Sequence, residues 1–322
     1  MASSTRPGST EPATPTVADA TPGTWVDRLA PPVTRPYLRL ARFDRPIGAW
    51  LLLFPCWWSQ ALAEHVNGRL WPSPSYLLLF LIGAYVMRGA GCTYNDIVDR
   101  EYDAGVARTR NRPIPSGQVT VAKAKAFMIA LCLVGLAVLL RFNWLTVALG
   151  ASSLGLIAIY PFMKRFTYWP QLVLGLTFKW GALIGWTAVR GRVEWPAVLL
   201  YAGCVLWTIG YDTIYAHQDK EDDLAMGLKS TAIRFGALTK PWLTGFYAGA
   251  VLLWSAAFFA AGLRPGAVLI AGLMLTAGVL AWQVATLETA RPENCLKRFK
   301  ANRFVGWIVL ATLALDMALR AA

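Results

Sequence analysis

SYLLLFLIGAYVMRGAGCTYNDIVDREYD, residues 75–103, is an apolar stretch that ends in a run of acids. Residues 75–95 carry a single charge, Arg88. At 1.5 Å per residue, about 20 such residues cross the roughly 30 Å hydrocarbon core of a bilayer. Lipid offers no partner to an open backbone, so a segment of this kind must be a helix. The pattern recurs near 46–64, 75–97, 122–140, 143–162, 168–189, 195–216, 241–262, 266–287 and 304–320. The third and fourth stretches are joined by only Arg141–Asn143. The sequence therefore predicts an all-α integral membrane protein of nine transmembrane helices, bundled around a central cavity.

Composition agrees with that reading. Of 322 residues, 56% are hydrophobic and 15% are charged, against about 25% charged in an ordinary soluble domain. Fifteen tryptophans suit the two membrane interfaces. A net charge of +13 can signal nucleic acid or a membrane surface. Here the bases lie in short loops between apolar stretches, so lipid is the expected partner and nucleic acid is not. With the N-terminus cytoplasmic, the outer side receives only Arg69, Arg141, Arg190, Arg192, Arg264 and Arg320 of the 31 Lys and Arg, two of which lie within spans. That asymmetry predicts an N-in, C-out topology.

The five cysteines form no CxxC pair and read as small core residues, and His65 and His217 are too far apart to suggest a metal site. Residues 1–35 are rich in Ser, Thr, Pro and Ala and read as a disordered tail ahead of one transmembrane domain, 36–322. The tail has no apolar core of a secretory signal. Sparse Arg, with Glu11 and Asp19 present, makes it a poor transit peptide. The expected location is a bacterial cell inner membrane, with the mitochondrial inner membrane as the alternative.

The acids closing the second stretch are spaced for chemistry. Asn95, Asp99 and Asp103 lie four apart and Asp96 three before Asp99, which predicts one helical face. Carboxylates so close repel one another unless cations sit between them. Hard oxygen donors of this kind suit magnesium, which is often shared with substrate phosphates. The sixth stretch closes on Tyr211–Asp223, where Asp219 and Asp223 repeat the spacing and Asp212 sits two turns earlier. On the topology above, both clusters emerge on the inner face, as two motifs around one pyrophosphate would. Ordinary acidic loops are the plainer reading, but two matched clusters in a chain with 18 acids argue against it. Basic residues stand near both: Arg108, Arg110 and Arg112 after the first, Lys229 after the second, and Lys164 with Arg165 after the fourth stretch. Such cations can stabilise a departing pyrophosphate, although the positive-inside bias alone explains any one of them. Arg88 differs, because charge within a span is costly and usually functional.

On these residues the chain resembles the UbiA-type family of intramembrane aromatic prenyltransferases. The NDxxDxxxD motif matches at Asn95, Asp96, Asp99 and Asp103, the DxxxD motif at Asp219 and Asp223, and the opening motif at Arg42–Gly48. The likeness runs over about 36–320. Tyr160–Arg165, Asn111–Gly117 and Asp222-Asp223 leading to Lys229-Ser230-Thr231 look most like the branch that prenylates 4-hydroxybenzoate.

The resemblance implies that a polyprenyl chain moves from polyprenyl pyrophosphate to the ring carbon ortho to the hydroxyl of 4-hydroxybenzoate, a step of ubiquinone biosynthesis. It implies Mg2+ held by Asn95, Asp99, Asp103, Asp219 and Asp223, with Asp96 and Asp212 as further ligands. It suggests Arg42, Arg88 and Lys164 on the pyrophosphate and Arg165 on the aromatic carboxylate, so that Asp99, Asp103, Asp219, Asp223 and Arg165 are the catalytic set. Two other readings stay open: a relative with another aromatic acceptor, and a secondary transporter. Transporter sites usually lie at the midplane on broken helices, whereas these clusters stand at helix ends.

Overall fold

The computed structural model describes residues 23–106 and 109–319, and all their regular structure is helical. The long elements are α1 (Ile47–Val66), α2 (Pro74–Val98), α3 (Val121–Leu139), α4 (Trp144–Ile159), α5 (Pro170–Phe178), α6 (Gly181–Arg190), α7 (Trp195–Ala216), α8 (Thr239–Ala260), α9 (Ala267–Ala285) and α10 (Pro292–Leu319). In the bundle α6 packs on α1, α2 on α3, α7 on α8 and α9 on α10. At its heart the rings of Trp58, Trp207 and Trp254 meet pairwise with centroids 5.2–5.7 Å apart.

Among the described residues, eight helices are long and apolar enough to cross a membrane, not the nine expected. The difference is the first stretch. α1 has 20 residues, about 30 Å of helix, yet it carries Ser59, Gln60 and Glu64 and has Pro55 within it. All four of those residues are buried, because protein rather than lipid surrounds this helix. The tight connection at Arg141–Asn143 is as expected: Asn143 caps α4 through Thr146 N at 3.1 Å. Of the expected tail, residues 1–22 lie outside the described residues; Trp25–Leu29 is helical and Asp27 pairs with Arg39 at 2.7 Å.

The fifth span differs more. Residues 168–189 read as one helix, but the structure has two, broken at Lys179-Trp180. The break lets the Lys179 ammonium, which is fully buried, donate to the carbonyl oxygen of Leu51 at 2.6 Å. That carbonyl needs a donor from elsewhere, because its helical partner four residues on is Pro55, which has no N–H. Trp207, Tyr211 and Phe178 face the cation at 4.5, 5.2 and 5.3 Å from their ring centroids. Lys179→Met should then lower stability by about 1–3 kcal/mol, the cost of leaving a buried acceptor unmet. Pro55→Ala restores the missing N–H, so the double variant should lose clearly less than the sum of the singles. Thermal unfolding of the four proteins in detergent measures this, and simple additivity would break the link.

Candidate active site

Each acidic motif stands where a long helix gives way to short ones. α2 ends at Val98 and the chain re-enters helix over Arg100–Gly105, which carries Asp103. α7 ends at Ala216 and continues through the turn His217–Asp219 into Lys220–Ala225, which carries Asp222 and Asp223. α4 runs on through Tyr160–Phe162 into Met163–Phe166, which carries Lys164 and Arg165. The loop after Lys220–Ala225 is tied to Met163–Phe166, because Lys229 N donates to Lys164 O at 2.8 Å.

These three ends enclose one cavity of about 180 Å3. Asn95, Asp99 and Asp103 line it from the first motif, and Asp219, Asp222 and Asp223 from the second. Lys164, Arg112, Tyr102 and Tyr160 complete its polar wall. Asn95 Nδ2 donates to Asp99 Oδ2 at 3.2 Å, as their four-residue spacing requires.

The carboxylates are matched by cations. Lys164 Nζ lies 2.7 Å from Asp99, and Arg165 reaches the same carboxylate at 3.4 Å while packing over the rings of Tyr102 and Phe162. Arg112 Nη1 lies 2.7 Å from Asp103 and 3.2 Å from Asp96. Burial raises the Asp103 carboxyl from its ordinary value, and the Arg112 guanidinium pulls it back.

Among the described residues, no three acidic, His or Cys side chains are gathered closely enough to cage a metal ion. Magnesium needs no such cage: it usually takes one or two carboxylates, keeps waters and shares substrate phosphate oxygens. Hard oxygen donors on opposite walls of one cavity, with cations among them, fit a magnesium-bound pyrophosphate.

The remaining expected residues do not line the cavity. Asp96 is buried and its two oxygens are taken by Arg42 at 2.7 and 2.9 Å. Asp212 lies on α7 within electrostatic range of Arg88 and Lys179. Arg88 packs over the Phe178 ring at 5.1 Å. Arg108 lies outside the described residues. Arg112, Tyr160 and Asp222 stand in stretches quoted from the sequence but have no place among the expected site residues, and Tyr102 has none either. Arg112 stood within a basic run, with nothing in its spacing to separate it from its neighbours.

A multi-pass membrane protein whose helix ends surround an acid-lined cavity invites comparison with known families. The UbiA prenyltransferase family matches residues 52–309, and the chain belongs to that family. It is 50% identical over 290 residues to the 4-hydroxybenzoate polyprenyltransferase, mitochondrial, of Aedes aegypti, which covers 88% of this chain and 64% of that protein. The protein of the same name from Arabidopsis thaliana is 48% identical over 292 residues, 90% of this chain and 71% of its own. Among solved structures, a UbiA homolog from Aeropyrum pernix K1 in its apo state superposes with a TM-score of 0.69 at 27% identity, over 83% of this chain and 98% of its own. A UbiA homolog from Archaeoglobus fulgidus bound to GPP and Mg2+ has a TM-score of 0.59 at 17% identity, over 88% of this chain and 99% of its own, and shares the fold.

Proposed function

We propose that this chain transfers a polyprenyl group from polyprenyl pyrophosphate to the ring carbon ortho to the hydroxyl of 4-hydroxybenzoate, releasing pyrophosphate. The observation that carries the reading is the meeting of the two acidic motifs across one cavity, with Lys164 and Arg112 among them. The names of the relatives support the acceptor, and the GPP and Mg2+ bound to the Archaeoglobus protein support the donor class and the metal.

Asn95, Asp99 and Asp103 hold magnesium from one wall, Asp219 and Asp223 from the other. When bound, the metal neutralises the oxygens of the departing pyrophosphate. Lys164 and Arg112 add charge to the same oxygens as the allylic C–O bond ionises. The ring carbon then attacks the allylic cation and loses its proton, restoring aromaticity. Arg165 is the residue proposed for the acceptor carboxylate, which its planar fork can pair at both oxygens. A long prenyl tail gains about 0.8 kcal/mol per buried CH2, so the donor stays in lipid and the enzyme works at the interface. The Lys and Arg asymmetry supports a cytoplasmic or matrix side for the cavity. The relatives' names carry the word mitochondrial, which supports that location over the bacterial inner membrane expected from composition.

The test is a membrane assay with radiolabelled 4-hydroxybenzoate, a polyprenyl pyrophosphate and magnesium. A lipid-extractable labelled product that disappears with EDTA is expected. Product from another phenol or a naphthoate, with none from 4-hydroxybenzoate, would keep the reaction class and replace the acceptor. Ion or solute uptake into proteoliposomes without any prenylated product would favour the transporter reading instead.

A further inference from the structure

The first acidic motif divides into two parts that face different ways. Asn95, Asp99 and Asp103 line the cavity. Asp96 is 1% exposed, and Arg42 grips both of its oxygens at 2.7 and 2.9 Å. Arg112 shares one of those oxygens at 3.2 Å and holds Asp103 at 2.7 Å with the same nitrogen. A chain of charges therefore runs Arg42–Asp96–Arg112–Asp103 and ends at the cavity wall.

Arg42 is held in an unusual way. It is the one described non-glycine residue with positive φ, at 61°, in the left-handed region that L side chains seldom adopt. Backbone of this kind persists where its surroundings over-determine it, and such residues cluster at functional sites. Here the fastening is visible. Arg42 Nη1 donates to Arg39 O at 3.0 Å while Nη2 reaches across to Asp96 on α2. The loop before α1 is thereby bolted to the helix that carries the motif.

The geometry points to a positioning role for Asp96 and Arg42, resting on the reaction proposed above: Asp96 binds no metal, and with Arg42 it fixes Arg112 so that Asp103 is presented to the cavity. Arg112 is shared between two carboxylates. Without Asp96 it has only Asp103 to pair with, and it would compete with an incoming cation for that carboxylate. With Asp96 in place, Arg112 keeps an anion of its own when Asp103 turns to metal. Both residues thus act on the site through Arg112 and touch no reacting atom.

The clamp is tested by counting Mn2+ ions bound per chain by electron paramagnetic resonance, with inorganic pyrophosphate present and no turnover. Asp96→Asn should keep the wild-type count with weakened affinity, whereas Asp99→Asn should lose an ion. A lost ion in Asp96→Asn would make Asp96 a ligand and overturn the clamp. Arg42→Gly supplies the complementary case, because glycine adopts positive φ without strain. It should remain folded and yet turn over at least tenfold more slowly, with methylguanidinium restoring much of the rate. Full activity in Arg42→Gly, or a rate loss that methylguanidinium leaves unchanged, would equally overturn the proposal. The ion count needs no acceptor, so it decides the clamp even if the prenyl transfer reading fails.

Discussion

Asp99→Ala should cost prenyl transfer about 10²–10³-fold or more in kcat/KM, in protein that still extracts as a folded species. Asp99 is a heavily committed carboxylate of the cavity. It is 2% exposed and meets Lys164, Arg165 and Asn95 at 2.7, 3.4 and 3.2 Å. Its removal takes away a proposed metal ligand and leaves two cations facing each other with no anion between them. Those cations would then bind pyrophosphate in an arrangement set by repulsion. Folding should suffer less than activity, because the Lys164 and Arg165 side chains are each 29% exposed, and water can solvate them once the carboxylate is gone. Asp99→Asn separates charge from shape. It keeps an acceptor for Asn95 but cannot neutralise magnesium, so its loss should come within about tenfold of the alanine variant. Asp219→Ala on the opposite wall should fall in the same range. Steady-state rates at several magnesium concentrations decide the matter. Activity within tenfold of wild type in either alanine variant would remove the two-wall mechanism.

The parts of this protein legible in its sequence are those set by local rules. Lipid enforces spans of about 20 apolar residues, so helices α2 to α4 and α7 to α9 appear where hydropathy places them, while α10 begins at Pro292, well before the apolar stretch at 304–320. The four-residue spacing of Asn95, Asp99 and Asp103 is likewise a local property, and all three reach the same cavity. Asp96, expected beside them, does not line the cavity. Helix geometry leaves Asp96 beside Asp103; what takes it out of the cavity is Arg42, 54 positions earlier, which holds both of its oxygens. The break in the span at 168–189 was hidden for a different reason. Both halves are apolar, and the one clue was Lys179 inside the stretch. Its acceptor, Leu51 O, lies 128 positions away on a helix that lacks a donor only because of Pro55. Neither that pairing nor the Arg42–Asp96 clamp has any signature within a short window of sequence. The greater polarity of α1 is also tertiary in origin, since only the assembled bundle shields it from lipid.

The contact made on α1 by α6 carries the largest expected loss of stability. α6 lies close against α1 through Gly181 and Gly185, a pair of small residues four apart of the kind that lets membrane helices approach backbone to backbone. A Cβ added at Gly185 would collide with the carbonyl oxygen of Cys56 and stand 3.1 Å from Gln60 N. Both are α1 backbone atoms, so no rotamer change relieves the clash and the helices must separate. Separation would also strain the Ser59 hydroxyl bond to Ala182 O and the Lys179 bond to Leu51 O, which tie α1 to the α5–α6 region. Gly185→Ala should therefore exceed the ordinary overpacking cost of about 1–3 kcal/mol, and Gly185→Leu should yield no monodisperse protein. Gly181→Ala should be milder, because the first atom its Cβ would meet is the Cys56 sulfur, a side-chain atom that can rotate away. Gly155 on α4 is the control, since nothing lies within 4 Å of a Cβ there. Gly155→Ala should hold or raise the melting temperature, as a helical glycine replaced without a clash gains roughly 0.5–1 kcal/mol. Fluorescence-detected size exclusion and thermal melts in detergent rank the four variants. If Gly185→Ala melts no lower than Gly155→Ala, the contact between α6 and α1 is not the one described, and the placement of Lys179 beside Leu51 loses its support with it.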